Sequence, residues 1–575
     1  CIQRRRRIVL PPTRAHLAVF PTTDRPLIAT LADFLKYARS TRKSIPKNAK
    51  IAWGNLVKAH TLAIIDAETD VERDAAAIRF LRLVQDYLPR SLRHNRIAES
   101  VGERWVPNWT ARREYQPIIH DPDAPIIKRA QSLAEQGLLR RAAQSLAPPK
   151  MADLNDPRVW EVVKSKYPCR SKDLRGDLPR THIVPFRGDV VESHLKRLSK
   201  GASGGITGWT KELLLAAVDG QQRVASDLGE VAAMFLSEEF SPHVMQIFRA
   251  TRLFAIIKPV ADSTRIDVRP IAAGDALFKL TTALAFHSEV HALPNWQYAL
   301  GRPSACVEIL SALRESLESP GKFLLTLDCA NAFNSVSLAA IEERQRLRLR
   351  DHAPGAMTQC FRMGYYESPI LVDVHGHTIV QVEGVKQGDV ASTFLFCDVI
   401  AEPVEQLLAS VNHGKTNQED RVQVWAYADD ITFAGSLDDL LTLWPRAAMC
   451  LNGVGLSLNT NKCELICSRP LNEAEQRNAN SLGIRVVLQD QCAKVLGCPL
   501  GAPASVVAQE QSARAILGKT YDFYARLSHP LLDARLAYTL LRVCGQPKVR
   551  YLCSVLPPHI MKPLYPEIDA HREGG

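Results

Sequence analysis

The spacing of apolar residues changes along this chain of 575 residues. Between residues 27 and 146, segments such as LADFLKYARS and AAAIRFLRLVQDYL place apolar side chains three or four positions apart, a period that predicts amphipathic helices. From about residue 251, short β-prone runs such as RLFAIIKPV and FLLTLD stand between helical stretches. The pattern therefore predicts a helical N-terminal part, followed by a part in which strands and helices alternate.

Two pairs of β-prone runs are separated by short turns. SPILVDV and HTIVQVEG flank one turn, and VQVWAY and ITFAG flank Ala428, Asp429 and Asp430. Each pair predicts a β-hairpin. We interpret His375 and His377, which lie in the first turn, as turn residues rather than metal ligands.

A glycine-rich stretch, GASGGITGW, precedes the helical run KELLLAAV. It lacks the lysine and the hydroxyl residue that end a phosphate-binding P-loop. We interpret it as a flexible joint in which Thr207 caps the following helix. This interpretation assigns no ligand to the stretch.

The basic excess of the chain is concentrated at its start. The chain has 72 Lys and Arg against 61 Asp and Glu, a net charge of +11. Residues 1–50 hold 12 of the basic and 2 of the acidic residues, so the other 525 residues carry a net charge of only +1. A basic tail of this kind predicts contact with nucleic-acid phosphates or a nuclear-import address; a solvated, flexible tail is the alternative.

Several classes of protein are excluded by the composition. The chain has no run of eighteen apolar residues, so no membrane span is predicted. The N-terminal pattern does not fit a signal peptide. The 13 cysteines are too sparse for a disulfide framework, and they form no C-x-x-C pair, so no zinc knuckle is predicted. We expect reduced, structural thiols and an intracellular location.

Three acidic residues follow or interrupt apolar strands. Asp328 ends FLLTLD, and Asp429 and Asp430 lie in the second predicted turn. A carboxylate beside apolar strands is costly unless a cation or donor compensates it. Carboxylates at one end of two adjacent strands form an oxygen site suited to Mg²⁺, and two such ions about 4 Å apart serve phosphoryl transfer. The pattern therefore predicts nucleotide polymerisation.

Seven ordered motifs resemble those of reverse transcriptases. LLTLDCANAFNSV, GVKQGDVASTFLF and AYADDITFAG are similar to the three central palm motifs, and NTNKCELI and VLGCPLG to the next two. RLFAIIKPV and VRPIAAGDALFKL are similar to the two finger strands upstream. The resemblance covers about residues 200–555 and is closest to the enzymes of non-LTR retrotransposons, which also carry D-x-x-N-A-F, G-V-x-Q-G-D and Y-A-D-D.

The resemblance implies an α+β fold: a right-hand polymerase with fingers, a ferredoxin-like palm, a helical thumb and a helical N-terminal extension. The boundaries that we predict are a basic tail at 1–50, the extension at 51–195, fingers at 196–320, a palm at 321–500 with an interleaved finger segment at about 341–383, and a thumb at 501–575.

The resemblance also implies roles for the acidic residues and for one aromatic residue. Asp328 and Asp429 would coordinate both metal ions, and Asp430 would contribute less directly. Phe333 would lie under the sugar of the incoming nucleotide, where its ring would clash with a 2′-hydroxyl and favour dNTPs. Lys462 would protonate the pyrophosphate leaving group.

The remaining implied site residues bind the nucleotide. Gln387 and Gly388 would contact the incoming nucleotide and the template. Lys258 and Arg269 would hold the triphosphate, for which a point charge and a fork of donors are both suited. The family commonly has Pro-Leu after Q-G-D, whereas this chain has Val390 and Ala391, which alters the start of a helix and removes no catalytic group.

The implied cofactors are two Mg²⁺ ions, for which Mn²⁺ is a possible substitute. The implied partners are an RNA template, a DNA or RNA primer and dNTPs, with no membrane. Because no nuclease motif is recognisable and the chain begins with Cys1, we expect a fragment or a processed product whose nuclease lies in flanking sequence or in another protein. Target-primed integration would place the protein in the nucleus, with the cytoplasm as the alternative.

Three alternatives remain open. The first is a catalytically silent or domesticated nucleic-acid-binding protein that retains the palm, which would bind RNA in a salt-sensitive manner without turnover. The second is a primer-extending polymerase that uses rNTPs, against which Phe333 argues. The third is a reverse transcriptase of the group II intron type, whose maturase and HNH signatures are not visible.

Overall fold

The structure is a computed structural model, and it describes residues 27–38, 45, 47–88, 123–135, 137–202, 204–259, 265–287, 293–319, 321–351 and 355–573. The first 26 residues, with the four consecutive arginines of the basic tail, lie outside the described residues, so the role of the tail stays a prediction. Within the described ranges, no helix is both long enough and apolar enough to cross a membrane.

The predicted mixture of helices and strands is confirmed. The described strands are β1 (Thr251–Lys258), β2 (Asp267–Ala273), β3 (Phe323–Leu327), β4 (Ile370–Val372), β5 (Thr378–Val380), β6 (Gln423–Tyr427), β7 (Asp430–Gly435), β8 (Glu464–Ile466), β9 (Arg485–Val487), β10 (Ala493–Val495) and β11 (Cys498–Leu500). The described residues form two compact units. The first comprises residues within 1–115, 150–291 and 342–392, and the second those within 116–149, 292–341 and 393–575.

The first unit combines helices with a four-stranded sheet of order β2-β1-β4-β5. Strand β1 is antiparallel to β2 and parallel to β4. Strands β4 and β5 form the first predicted hairpin, and His375 and His377 lie in its turn, where both backbone N–H groups donate to the buried Asp373 carboxylate. The helices are Leu27–Ala38, Lys50–Ile65, Asp70–Tyr87, Pro157–Ser165, Gly188–Arg197, Lys211–Gly220, Val224–Leu236, Pro242–Arg249, Ala276–His287 and Ala356–Phe361.

One helix of the first unit is capped differently from the prediction. Thr210, and not Thr207, is the N-cap of Lys211–Gly220, because the Thr210 side chain accepts a hydrogen bond from the Leu213 N–H. The Thr207 hydroxyl instead donates to the buried carboxyl of Asp275. The interpretation of Thr207 as the cap was therefore wrong: a partner 68 positions away in sequence takes the hydroxyl that a local pattern assigns to the helix.

The second unit contains a five-stranded sheet of order β6-β7-β3-β8-β9 and the antiparallel pair β10-β11. Its helices are Ala124–Glu135, Leu139–Leu146, Ala305–Glu318, Ala332–Ser335, Leu437–Asn452, Glu473–Ser481, Val506–Leu527, Ala534–Leu540, Gln546–Val555, Pro558–Met561 and Tyr565–Glu573. Two further helices, Leu338–Asp351 and Val390–Asn412, contain positions at which the chain passes from one unit to the other.

Strand β3 lies at the centre of the five-stranded sheet, antiparallel to both β7 and β8. Phe323, Leu324, Leu325 and Leu327 are all buried, which explains why the strand is a continuous apolar run instead of an alternating one. Leu324 belongs to the same apolar cluster as Ile309 of helix Ala305–Glu318. The centre of the sheet is therefore rigidly packed next to the strand end that carries Asp328.

Candidate active site

Strand register brings the predicted carboxylates to one end of the sheet. Asp430 is the first residue of β7 and is paired with Tyr427, so Ala428 and Asp429 form a two-residue turn between β6 and β7. Leu327, the last residue of β3, is paired with Ile431. Asp328 therefore leaves β3 at the edge where β7 begins, beside Asp430.

Lys462 lies at the same edge. Its Nζ is 3.6 Å from Oδ2 of Asp328, and its side chain is 61% exposed. The loop that carries it is fixed to the end of β3, since the Asn459 N–H donates to the Asp328 carbonyl over 2.7 Å. Lys462 is thus held beside Asp328 while its side chain is largely exposed to solvent.

The acidic side chains repel one another. Loss of hydration first, and then the negative charges of Asp429 and Asp328, raise the pKa of Asp430 to about 6, whereas Lys462 lowers it. Because the Asp430 side chain is exposed to solvent, repulsion by the neighbouring carboxylates is the main cause of this rise in pKa. Burial and the same carboxylates also raise the pKa of the Cys329 thiol to about 12, so this cysteine stays protonated at neutral pH.

This concentration of carboxylate oxygens suits a divalent cation, which would relieve the repulsion. Among the described residues, however, no group of three or more His, Cys, Asp and Glu side chains is arranged to hold a metal ion. Asp328 has Lys462 as its neighbouring cation instead. The donor chemistry therefore fits the predicted metal, while the ligand geometry is not formed and the metal site stays a proposal.

Phe333 belongs to the same unit as the carboxylates. It lies on the short helix Ala332–Ser335, which follows Asn331 in the left-handed conformation with φ 54°. Its half-buried ring stacks on Phe396, with ring centroids 4.6 Å apart and planes 12° apart. Stacking of this kind favours one orientation of the ring.

Lys258 and Arg269 lie in the first unit, on neighbouring strands. Ile256 is paired with Arg269, and Lys258 with Asp267, so all of these side chains share one face of the sheet. Asp267 accepts from Lys166 over 2.9 Å and lies 3.6 Å from Lys258. Around the Asp267 carboxylate, Lys166, Lys258 and Arg269 leave a positive excess, and the Arg269 side chain is exposed.

Gln387 and Gly388 form the exposed tip of a loop in the first unit, and Gly388 has a φ of 92°, a value that favours glycine. The residues on either side of the tip, Lys386 and Asp389, are buried. Lys386 donates to the Arg249 carbonyl over 2.9 Å and lies 3.8 Å from the centroid of the Phe278 ring. The tip is therefore held by an anchor on its N-terminal side.

The anchor on the other side is the Asp389 carboxylate. It accepts from the Thr282 hydroxyl and from both the N–H and the hydroxyl of Ser392. The Tyr365 hydroxyl lies 2.7 Å from the Ser392 hydroxyl and accepts from the Lys386 N–H over 3.0 Å. Sequence reasoning missed this network; the polar positions inside G-V-K-Q-G-D were the only signal for it.

Burial lowers the pKa of Lys386 to about 7, although Asp389 opposes the shift. An unfolded lysine titrates near 10.4, so between about pH 7 and 10 the unfolded chain binds more protons than the folded one. The free energy of unfolding should therefore rise with pH across this window, by up to about 1.4 kcal/mol per pH unit for this group. Lys386→Met should remove the rise, as measured by urea unfolding at pH 7, 8 and 9.

Lys196→Met, which removes an exposed lysine of the same unit, is the matched control and should leave the slope unchanged. If the free energy of unfolding of Lys386→Met differs from that of wild type by the same amount at all three pH values, the lowered pKa of Lys386 is contradicted.

Part of the chain is similar to known proteins. Residues 259–500 match the family described as reverse transcriptase (RNA-dependent DNA polymerase). The chain is also similar to the retrotransposable element SLACS 132 kDa protein of Trypanosoma brucei gambiense, with 25% identity over 289 residues. The alignment covers 48% of this chain and 22% of that protein, so the chain spans about a fifth of the length of this relative. The predicted resemblance to reverse transcriptases is therefore confirmed for residues 259–500, and the similarity to a retrotransposable element protein supports the predicted kind of enzyme.

Proposed function

We propose that this chain is the RNA-directed DNA polymerase of a non-LTR retrotransposon, which extends a primer 3′-hydroxyl with dNTPs on an RNA template. The observation that carries the proposal is the meeting of Asp328, Asp429 and Asp430 at one sheet edge inside the reverse transcriptase domain. In this proposal the five-stranded sheet of the second unit is the palm, its C-terminal helices are the thumb, and the four-stranded sheet of the first unit belongs to the fingers.

The reaction forms a bond between the primer O3′ and the α-phosphorus and breaks the α–β anhydride. Two Mg²⁺ ions, when bound, would activate the hydroxyl and neutralise the departing pyrophosphate. Asp328 and Asp429 would hold them, with Asp430 contributing less directly. The mutual repulsion that helps to raise the pKa of Asp430 supports this role, because a bound divalent cation would relieve that repulsion.

Lys462 would donate a proton to the leaving pyrophosphate. General acid catalysis needs a donor beside the reacting group, and the 3.6 Å separation from Asp328 keeps the ammonium at the edge of the site. Lys258 and Arg269 would hold the triphosphate through the positive excess of the β1–β2 face. The anchored tip with Gln387 and Gly388 would contact the nucleotide and template, and Phe333 would exclude the 2′-hydroxyl.

Integration also requires cleavage of the target DNA. We propose that a separate nuclease, encoded in flanking sequence or by another gene, supplies this step, and that it takes place in the nucleus.

The purified chain should extend a labelled DNA primer annealed to RNA when Mg²⁺ and all four dNTPs are present. Chelation of the metal should stop extension, and Mn²⁺ should restore it. Salt-sensitive binding of the primer–template without extension under either metal would overturn the proposal and indicate a silent nucleic-acid-binding protein instead.

A further inference from the structure

The turn that carries Asp429 has an unusual backbone conformation. Ala428, its first residue, has φ 56°, in the left-handed region that side chains other than glycine rarely adopt. Two-residue hairpin turns need a positive φ at this position and usually place glycine, asparagine or aspartate there. Ala428 has none of the advantages of those residues, so other contacts must hold this conformation.

A buried glutamine makes those contacts. Gln297 is 2% exposed. Its side-chain oxygen accepts from the Ala428 N–H over 2.9 Å, and its side-chain NH₂ donates to the Ala428 carbonyl over 3.3 Å. One amide group therefore satisfies both backbone polar groups of the left-handed residue.

Gln297 is itself fixed against strand β6. The Ala426 N–H donates to the Trp296 carbonyl over 2.8 Å, and the Tyr298 N–H donates to the Ala426 carbonyl over 2.7 Å. The Gln297 side-chain oxygen also accepts from the Ala299 N–H over 3.2 Å. The segment around Gln297 thus runs alongside β6 as an extra strand-like partner, which places the amide at the turn without freedom to move away.

We infer that Gln297 is a positioning residue for Asp429. The inference rests on the proposed function, since it assigns to Gln297 the task of holding a carboxylate that the polymerase would use. The direction of the Asp429 side chain depends on the backbone angles of Ala428. Without the amide, the N–H and C=O of a buried residue (Ala428 is 7% exposed) lose their partners, and the turn is free to leave the left-handed conformation.

Only an amide of this length fits the requirement. A glutamate at this position keeps the acceptor but, when ionised, has no donor for the Ala428 carbonyl. A methionine keeps nearly the same volume and length but has neither a donor nor a strong acceptor. Gln297→Met therefore removes both hydrogen bonds to Ala428, and the one from the Ala299 N–H, while nearly preserving the packing. Gln297→Ala removes these hydrogen bonds and the packing as well.

The test measures the turn and the reaction separately. Hydrogen–deuterium exchange, followed by mass spectrometry, reports on the peptide that contains the Ala428 N–H and needs no activity. We expect exchange of that peptide to become about ten- to a hundredfold faster in Gln297→Met and Gln297→Ala. The kcat for primer extension should fall by a similar factor, while the KM for dNTPs and the Kd for primer–template stay within about twofold, since the nucleotide-holding cations are not altered.

Gln509→Ala is the matched control. Gln509 is a buried glutamine of the same unit that donates to Ser505 and Gly501. Gln509→Ala therefore removes a buried amide and its hydrogen bonds without changing any contact of the turn. If Gln297→Ala does not fold, Gln297→Met carries the test. Unchanged exchange or unchanged kcat in Gln297→Met would overturn the inference, as would an equal effect of Gln509→Ala. Absence of extension by the wild-type protein would instead contradict the proposed function, and the exchange data would still decide the role of Gln297.

Discussion

Asp429→Asn should reduce Mg²⁺-dependent extension of a DNA primer on RNA by at least about a thousandfold. The substitution keeps the size of the side chain but removes the charge of one of the two carboxylates that we propose to hold both ions. Metal ions supply several kcal/mol of transition-state stabilisation in such reactions, and about 4 kcal/mol corresponds to a thousandfold change in rate. The single-turnover rate at saturating primer–template is the quantity to measure, because it isolates the chemical step from binding.

Asp438→Asn provides the control for this prediction. Asp438 is an exposed residue in the first turn of helix Leu437–Asn452, so its substitution removes the same charge from the same unit without touching the strand ends. Only a small loss of helix stability is expected there, about 0.3–1 kcal/mol. Extension by Asp429→Asn within about tenfold of the wild-type and Asp438→Asn rates would contradict the assignment of Asp429 and, with it, the two-metal proposal.

Phe333→Ala should increase the use of rNTPs relative to dNTPs by about ten- to a hundredfold, the range that steric discrimination by one pocket group provides. The ring that we propose to exclude a 2′-hydroxyl would be gone, and the stacking contact with Phe396 would be lost with it. The ratio of kcat/KM for matched rNTP and dNTP pairs measures the effect. A moderate loss of stability should accompany it, about 0.5–1.5 kcal/mol for the aromatic pair beyond the lost burial.

Phe333→Tyr is the conservative control, because it keeps both the ring and its contact with Phe396. It should therefore retain the preference for dNTPs. If Phe333→Ala discriminates against rNTPs as strongly as the wild-type protein does, a residue other than Phe333 selects the sugar. If the wild-type protein already uses rNTPs as readily as dNTPs, the proposal of a DNA polymerase is refuted.

Much of the fold was accessible from local patterns. The apolar run FLLTLD predicted a buried strand, and β3 is buried along most of its length. The runs around residues 428–430 predicted a hairpin, and β6 and β7 form it with the residues paired as a two-residue turn requires. These elements depend on residues that are close together in the sequence, so their pattern of apolar and polar side chains can be read from it directly.

Contacts between distant residues were not accessible in this way. Thr207 appeared to be a helix cap because hydroxyl residues before an apolar run commonly cap helices, but it binds Asp275 instead. Gln297 lies 131 positions from Ala428, and nothing in the residues around it indicates that it satisfies a left-handed turn. Lys386 received no role from the sequence, and only its burial and its hydrogen bond to the Arg249 carbonyl identify it as an anchor of the loop.

The sequence by itself determined the class of chemistry, because the order and spacing of seven motifs, with carboxylates at strand ends, fit nucleotide polymerisation and the family match agrees. The tertiary structure decided which groups support those carboxylates. The register of β3 against β7 brings Asp328 beside Asp430, and the amide of Gln297 closes the turn before Asp429. The physical reason is that the chemistry of a catalytic side chain depends on its residue type, which the sequence gives directly. The residues that orient this side chain do so because they lie close to it, and only folding brings them there.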